Sequence, residues 1–355
     1  MRAVESATRE PVVRLAVPDA VTGSADDTGR RFVFGPVVSR RLGRSLGVDL
    51  IPYKVCSYDC VYCQLGRTTR LTAERSQYVR LDRVIEDVRR ALEAPGRIDY
   101  VTLSGSGEPT LCLGLGDLIG ALRERTQVPI AVLTNGSLLS RPELRQELAA
   151  ADLVIPSLDA GDPATFARVN RPDPSIGFES MVEGLMEFGK GYRGRVWLEV
   201  FIVRGYNDRP DQVERIAALA RQIAPERLQL NTVARPPAEG DALPVHPDVL
   251  HDLAGVFGPS AEIVSERPAE ATAAGGGAEV EGLLNLLARR PCDLVGMAEA
   301  LGAHPNAVLK ILPGLVREGK VTVTRHGGRD YYAATRRPDQ ALHGSADGGG
   351  PAGQE

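Results

Sequence analysis

The sequence predicts an α/β protein: a parallel sheet assembled from βα units, followed by a small C-terminal α+β unit. Three observations predict it. From Arg31 to about residue 267, short β-type runs alternate with helical patterns, which argues for parallel strands joined by crossover helices. Several of those runs close on polar or Gly-rich turns, where ligands gather both in barrels of βα units and in open doubly wound sheets. Beyond residue 278 the pattern changes to three helices and a hairpin.

Taken in order, residues 1–30 are small and polar without periodicity, and are expected to be a disordered tail. Six β-type runs come next: SLGVDL (45–50), DYVTLSG (99–105), PIAVLTNG (129–136), DLVIPSLDA (152–160), RVWLEVFIV (195–203) and RLQLNTV (227–233). Between the first two, LDRVIEDVRRALEA (81–94) spaces Leu81, Val84, Ile85, Val88, Ala91 and Leu92 on one helical face. The core is expected to span 31–267. Residues 268–278, rich in Ala and Gly, read as a linker, so residues 279–334 are expected to form an appended module. Within that module, EVEGLLNLLARRP and DLVGMAEALG read as helices, and HPNAVLKILPGLVREGK as a third, disturbed at Pro313. VTVTRHGGRDYYAA then reads as a hairpin turning at Gly327-Gly328, which completes a winged-helix order. Residues 335–355 read as a second disordered tail.

Composition narrows the function. Apolar residues make up 43% and charged residues 25%, as in ordinary globular proteins. A net charge of −4 excludes a generally basic nucleic-acid coat. No apolar run approaches the roughly 20 residues that span a bilayer, and the N-terminus has no signal-type apolar core, so a cytoplasmic location is expected. Of five cysteines, three are clustered, which in a reducing compartment indicates metal binding or catalysis rather than a disulfide framework.

That cluster is CSYDCVYCQLGRTT (56–69), with Cys56, Cys60 and Cys63 just past the first run. A structural zinc or a fully protein-ligated cluster needs four ligands. A fourth is hard to find, because Cys112 lies 49 residues past Cys63 and no histidine precedes His246. Three ligands leave one coordination position open, which belongs to catalysis. A [4Fe–4S] cluster on three thiolates would leave one iron free for a chelating small molecule. The rival is a zinc knuckle completed by Cys112 or a later histidine.

With Tyr62 before its last cysteine, C-x-x-x-C-x-x-C resembles the signature of the radical S-adenosylmethionine (radical SAM) enzymes. SGSGEPT (104–110) is similar to that family's Gly-Gly-Glu motif, which holds the SAM amino group. TNG (134–136) and SLDA (157–160) sit where the family contacts SAM from its third and fourth strands. The resemblance covers about residues 31–266. It implies a partial (βα)6 TIM-like barrel, with a [4Fe–4S] cluster on Cys56, Cys60 and Cys63. It also implies SAM contacts from Tyr62, Gly105, Gly107, Glu108, Asn135, Ser157 and Asp159. The implied chemistry is reductive cleavage of SAM to a 5′-deoxyadenosyl radical that abstracts hydrogen, with a flavodoxin or ferredoxin as electron donor. The stretch VVSRRLGRSLGVDLIPYKVCSYDCVYCQLG resembles the branch related to wyosine-base synthases of transfer RNA. Those carry extra upstream cysteines, and this chain has none before Cys56. The substrate stays open, with RNA and protein both candidates.

Other residues carry weaker signals. GSGEP lacks the Lys-Ser/Thr of a P-loop and the full dinucleotide fingerprint. Arg40, Arg41 and Arg44 form either a solvated face or an anion site. Glu199, Gln229 and Asn231 fall on or just past strand ends, as ligand contacts or as satisfied core groups. Lys54 reads as an exposed loop lysine, and Cys112 as a small apolar filler. The C-terminal unit has seven Lys/Arg against six Asp/Glu, a weak excess for DNA binding despite Arg325, His326 and Arg329 on its hairpin. It is expected to be a docking module. The rival is a redox-responsive regulator in which cluster state gates the winged helix.

Overall fold

β-branched runs separated by amphipathic segments fold as the pattern predicts, into strands that pair in parallel with helices between them. A computed structural model describes residues 32–264 and 280–335, except 95, 302 and 304. The expected tail at 1–30, the linker at 268–278 and residues 336–355 lie outside the described residues.

The chain opens with a hairpin, β1 (Val33–Ser39) and β2 (Gly43–Val48). A loop bearing the cysteines is closed by a two-residue parallel ladder of β3 (Val55–Cys56) and β4 (Arg70–Leu71). Next come α1 (Leu81–Glu93), β5 (Tyr100–Leu103), a short 3-10 turn at Pro109–Leu111, α2 (Leu115–Arg123), β6 (Ile130–Thr134), α3 (Pro142–Leu148), β7 (Leu153–Pro156), α4 (Pro163–Val169) and α5 (Phe178–Gly191). The core ends with β8 (Arg195–Ile202), α6 (Pro210–Ile223), β9 (Arg227–Thr232), α7 (Pro247–Phe257) and β10 (Ala261–Ile263). One sheet runs in the order β1-β2-β5-β6-β7-β8-β9-β10, parallel except for β1.

All six expected strands are present; β1 and β10 are additions at the two edges. Gly35-Pro36 interrupts the apolar run of β1, where the register shifts between Phe34 and Val37. Proline is tolerated there because an edge strand and a bulge spare it a ladder bond. Side chains alternate between the faces. Val101, Leu103, Ile130, Val132 and Val154 pack into the main core with the helices. Leu42, Ala131, Leu153, Ile155 and Trp197 form a smaller cluster with Tyr100 and Leu133. Burial on both faces is what a parallel sheet requires.

The C-terminal unit contains α8 (Val280–Arg289), α9 (Leu294–Leu301), α10 (Pro305–Arg317) and the hairpin of β11 (Val321–His326) and β12 (Arg329–Ala334). α10 continues through Pro313. Leu283, Leu286, Leu287, Met297, Val308, Leu312 and Leu315 form its core. The unit is docked rather than merely tethered. α8 and α9 pack against β1, whose Val37 joins the unit's core, and the Tyr331 hydroxyl donates to the Ala234 carbonyl at 2.8 Å. Among the described residues, no helix is long and apolar enough to cross a membrane.

Candidate functional site

β2 delivers the chain to one end of the sheet, and the cysteine loop begins seven residues later. The loop is pinned to the C-terminal end of α4: Asp59 N donates to Asn170 O at 3.0 Å, and Val61 N to Val169 O at 3.0 Å. Buried Tyr58 meets Phe166 edge to face, with centroids 5.4 Å apart. Arg67 and the backbone of Thr68 close the far side on the Asp59 carboxylate, each at 2.7 Å.

Each cysteine sulfur faces a different N–H donor. Lys54 Nζ donates to Cys63 at 3.1 Å, Asn135 Nδ2 lies 3.7 Å from Cys56, and Asn170 Nδ2 lies 3.6 Å from Cys60. Lys54 is buried, not an exposed loop lysine. Its backbone sits at φ +55°, and its own N–H donates to Ser106 O at 2.7 Å. Burial opposes its ammonium, but the surrounding Cys63, Cys56 and Cys60 sulfurs outweigh that and raise its pKa. Burial pushes the Cys56 thiol up to about 12, although Lys54 pulls it down, and holds the Cys60 thiol well above its ordinary range, helped by the Asp159 charge.

Glu108 lies fully inside. Its carboxylate accepts from Thr110 N at 3.0 Å, Thr110 Oγ1 at 2.6 Å, Thr134 Oγ1 at 2.6 Å and Asn135 N at 2.7 Å. It therefore caps the 3-10 turn and straps the Gly-Glu loop to the end of β6. Burial raises its pKa, while these bonds pull the other way. Gly105 and Gly107 are needed for packing within the chain. A Cβ on Gly107 would stand 2.0 Å from Val55 O, and one on Gly105 would stand 2.4 Å from the Asp49 carboxylate.

The other strand-end residues meet the same cluster. Asn135 also donates to Ser57 Oγ at 2.9 Å, and Ser57 shares a 2.7 Å bond with Ser137. Asp159 accepts from Tyr62 OH at 2.5 Å, Asn170 Nδ2 at 2.7 Å and Phe201 N at 2.9 Å; burial raises its pKa to about 6 against those bonds. The Tyr62 ring stacks on Phe201 with centroids 3.9 Å apart. Ser157 bridges through its backbone to Glu199 on β8.

The arginine trio is divided. Arg41 Nη1 lies 2.7 Å from Glu199 Oε1, whose pKa falls because the Arg41 charge and bonds from Arg41 and Asn231 outweigh burial. Arg44 Nε instead reaches Arg97 O at 3.1 Å, so Arg41 and Arg44 do not converge on one anion site. Arg40 contributes a smaller charge effect at Glu199. Gln229 donates to Glu262 at 2.6 Å and ties β9 to β10. Cys112 is buried in the main core with its thiol toward Leu113 O. On the hairpin, Arg325 and Arg329 are exposed and paired with Asp330 and Asp293. Asn170 was not singled out in the sequence; its only signal is Asn-Arg-Pro (170–172), breaking the helical run after α4.

The donor set fits a cluster. Three thiols, each met by a separate N–H donor, match the outer-sphere bonding that orients and tunes thiolate ligands. Metal loading would release the thiol protons that burial retains. Among the described residues, no group of three or more His, Cys, Asp and Glu already stands close enough together to hold a metal ion, the three cysteines included.

Comparisons with known proteins show what the chain is similar to. Residues 50–220 match the model of the Radical SAM superfamily. The chain is 39% identical over 292 residues to GTPase Obg of Brachyspira hyodysenteriae, covering 81% of this chain but only 43% of that relative. It is 31% identical over 308 residues to a UPF0026 protein of Methanocaldococcus jannaschii, covering 84% of this chain and 94% of the relative. A radical SAM methyltransferase from Sphaerobacter thermophilus aligns with a TM-score of 0.47 at 18% identity, covering 62% of this chain and 65% of that one.

Proposed function

We propose, on the premise that the chain belongs to the UPF0026 family and carries a Radical SAM superfamily domain, that it is a radical SAM enzyme working at the cysteine loop. The superfamily uses a [4Fe–4S] cluster and SAM. In this reading Cys56, Cys60 and Cys63 hold the cluster. Tyr62 and the loop ends at Gly105, Gly107, Glu108, Asn135, Ser157 and Asp159 hold SAM. When bound, the two cofactors supply reductive cleavage of a SAM C–S bond and, through it, abstraction of a hydrogen atom from the substrate.

The observation that carries this reading is the meeting of three cysteine sulfurs with Lys54, Asn135 and Asn170 beside the Gly-Glu loop. The Lys54 ammonium offsets negative charge at the sulfurs, which favours accepting an electron there. Asn135 and Asn170 fix the orientation of Cys56 and Cys60. Glu108 keeps the Gly-Glu loop against β6, so the SAM contacts are set before the ligand arrives. Asp159, through Tyr62 and Phe201, positions an aromatic pair beside the loop. The order from α8 to β12 supports a winged helix serving as a docking module, with an RNA or a protein as substrate. A cytoplasmic location and a flavodoxin or ferredoxin donor belong to the same reading.

Anaerobic reconstitution with iron and sulfide tests it. About four irons per chain are expected from the cluster's stoichiometry, followed by 5′-deoxyadenosine on adding SAM and dithionite. A protein that takes up zinc but no iron, or a loaded cluster that leaves SAM intact, overturns the proposal.

A further inference from the structure

Asp49, just past the end of β2, is 2% exposed and joins two distant parts of the chain. Its carboxylate accepts from Ser106 N at 3.0 Å and Ser106 Oγ at 2.6 Å, inside the Gly-Glu loop. From the other side it accepts from Arg289 Nη1, at the end of α8, at 2.8 Å. The two residues stand 240 positions apart. The line continues inward: Ser106 O accepts from Lys54 N at 2.7 Å, and Lys54 Nζ reaches Cys63.

The contact is built on both sides. The Arg289 guanidinium lies over the Phe34 ring of β1, 4.5 Å from its centroid, and its side chain is 15% exposed. Phe34 fills the space above Gly47 on β2, where a Cβ would meet the ring at 2.1 Å. Gly105 leaves equally little room over Asp49. The carboxylate thus has almost no freedom to move unless the Gly-Glu loop moves with it.

We propose that Arg289 is a positioning residue for the Gly-Glu loop, so that docking of the C-terminal unit and binding of SAM strengthen each other. This rests on the reading that residues 104–108 hold SAM. A buried carboxylate that loses its cation is strongly destabilised. It recovers by turning toward water or another donor, which weakens its grip on Ser106. Coupling of this kind is reciprocal: whatever docking adds to SAM affinity, SAM adds to docking.

The test uses the full chain, reconstituted anaerobically, with SAM as the ligand. In Arg289→Leu, calorimetry should show SAM affinity lower by about tenfold, within the usual range of coupling between sites, at unchanged iron content. Arg289→Lys should recover much of the loss, because it restores the charge. Amide exchange in α8 of the wild type should slow when SAM is added. Glu108→Gln, which perturbs the loop without touching the C-terminal unit, is the control and should weaken SAM binding by itself. Wild-type affinity in Arg289→Leu alongside a weakened Glu108→Gln overturns the coupling and leaves the loop assignment standing. Unchanged affinity in both overturns the two together. Unaltered exchange in α8 of the wild type overturns the coupling whether or not Arg289→Leu folds.

Discussion

The cysteine loop and the C-terminal hairpin both carry charged side chains, and they hold them in opposite ways. Around the cysteines the charges are buried and saturated. Glu108 accepts four hydrogen bonds, Asp159 three, and the Lys54 ammonium rests on Cys63. On the hairpin Arg325 meets Asp330 at 3.5 Å with side chains 74% and 47% exposed, and nearby Lys320 pairs with an equally open Glu318. Exposed pairs contribute about 0–1 kcal/mol each. A buried charge costs several kcal/mol unless its surroundings compensate it. Stability alone gives little reason to bury so many ionisable groups in one place, whereas preparing a site for a charged cofactor does.

The largest expected effect separates the two regions by their cysteines. Replacing Cys56, Cys60 or Cys63 singly by Ala should abolish iron incorporation. Replacing Cys112, buried in the main core, or Cys292, buried in the C-terminal unit, should leave it intact. Iron and sulfide assays on anaerobically reconstituted variants decide this. A requirement for Cys112 would revive the four-ligand reading.

The next effect is a pH dependence seated at Asp159. Burial raises its folded pKa to about 6, against an ordinary value near 3.8. The native state therefore retains a proton that the unfolded chain has lost. The contribution to stability is complete below the unfolded value and disappears as pH rises through the folded one. Asp159→Asn cannot lose that proton. The variant should gain on the wild type by about 2 kcal/mol between pH 4.5 and 7.5, from the size of the shift. Urea unfolding of the metal-free proteins at both pH values measures it. A difference that does not change with pH would show that Asp159 is ionised in the native state throughout.

What the sequence made legible was local. The cysteine spacing, the six strands and the polar strand ends all lie within short windows, where periodicity and motif speak directly. The groups that escaped notice act across long separations. Lys54 looked like a loop lysine because nothing nearby in sequence announces that Ser106 and three sulfurs surround it. Asn170 meets Cys60 across 110 positions, and Arg289 meets Asp49 across 240. β1 was hidden by Gly35-Pro36, which breaks the apolar alternation, and β10 by its three-residue length. The glycines of the Gly-Glu loop were legible from their motif, but their packing role was not. Their missing side chains make room for Val55 and Asp49, and that depends on which elements meet rather than on the motif.

The smallest effects come from a pair of glycines and carry the comparison to backbone packing. In Gly107→Ala the new Cβ would stand 2.0 Å from Val55 O and 2.6 Å from Ile51 Cγ2. The nearer atom is backbone, one residue before Cys56, so it can yield only if β3 shifts. Overpacking of this kind costs about 1–3 kcal/mol, and the displaced strand should lower iron uptake as well. Gly314 in α10 is the counterpart, because a Cβ there meets nothing within 4 Å. Alanine should instead stabilise that helix by about 0.5–1 kcal/mol, since it removes unfolded-state freedom without a clash. Urea unfolding reads both signs, and iron content separates their consequences. Gly107→Ala should lose stability and iron together, while Gly314→Ala should gain stability and keep its iron. A Gly107→Ala protein with unaltered stability and full iron would mean that the Gly-Glu loop is not pressed against the cysteine segment, and the tight packing argued for this region would fail with it.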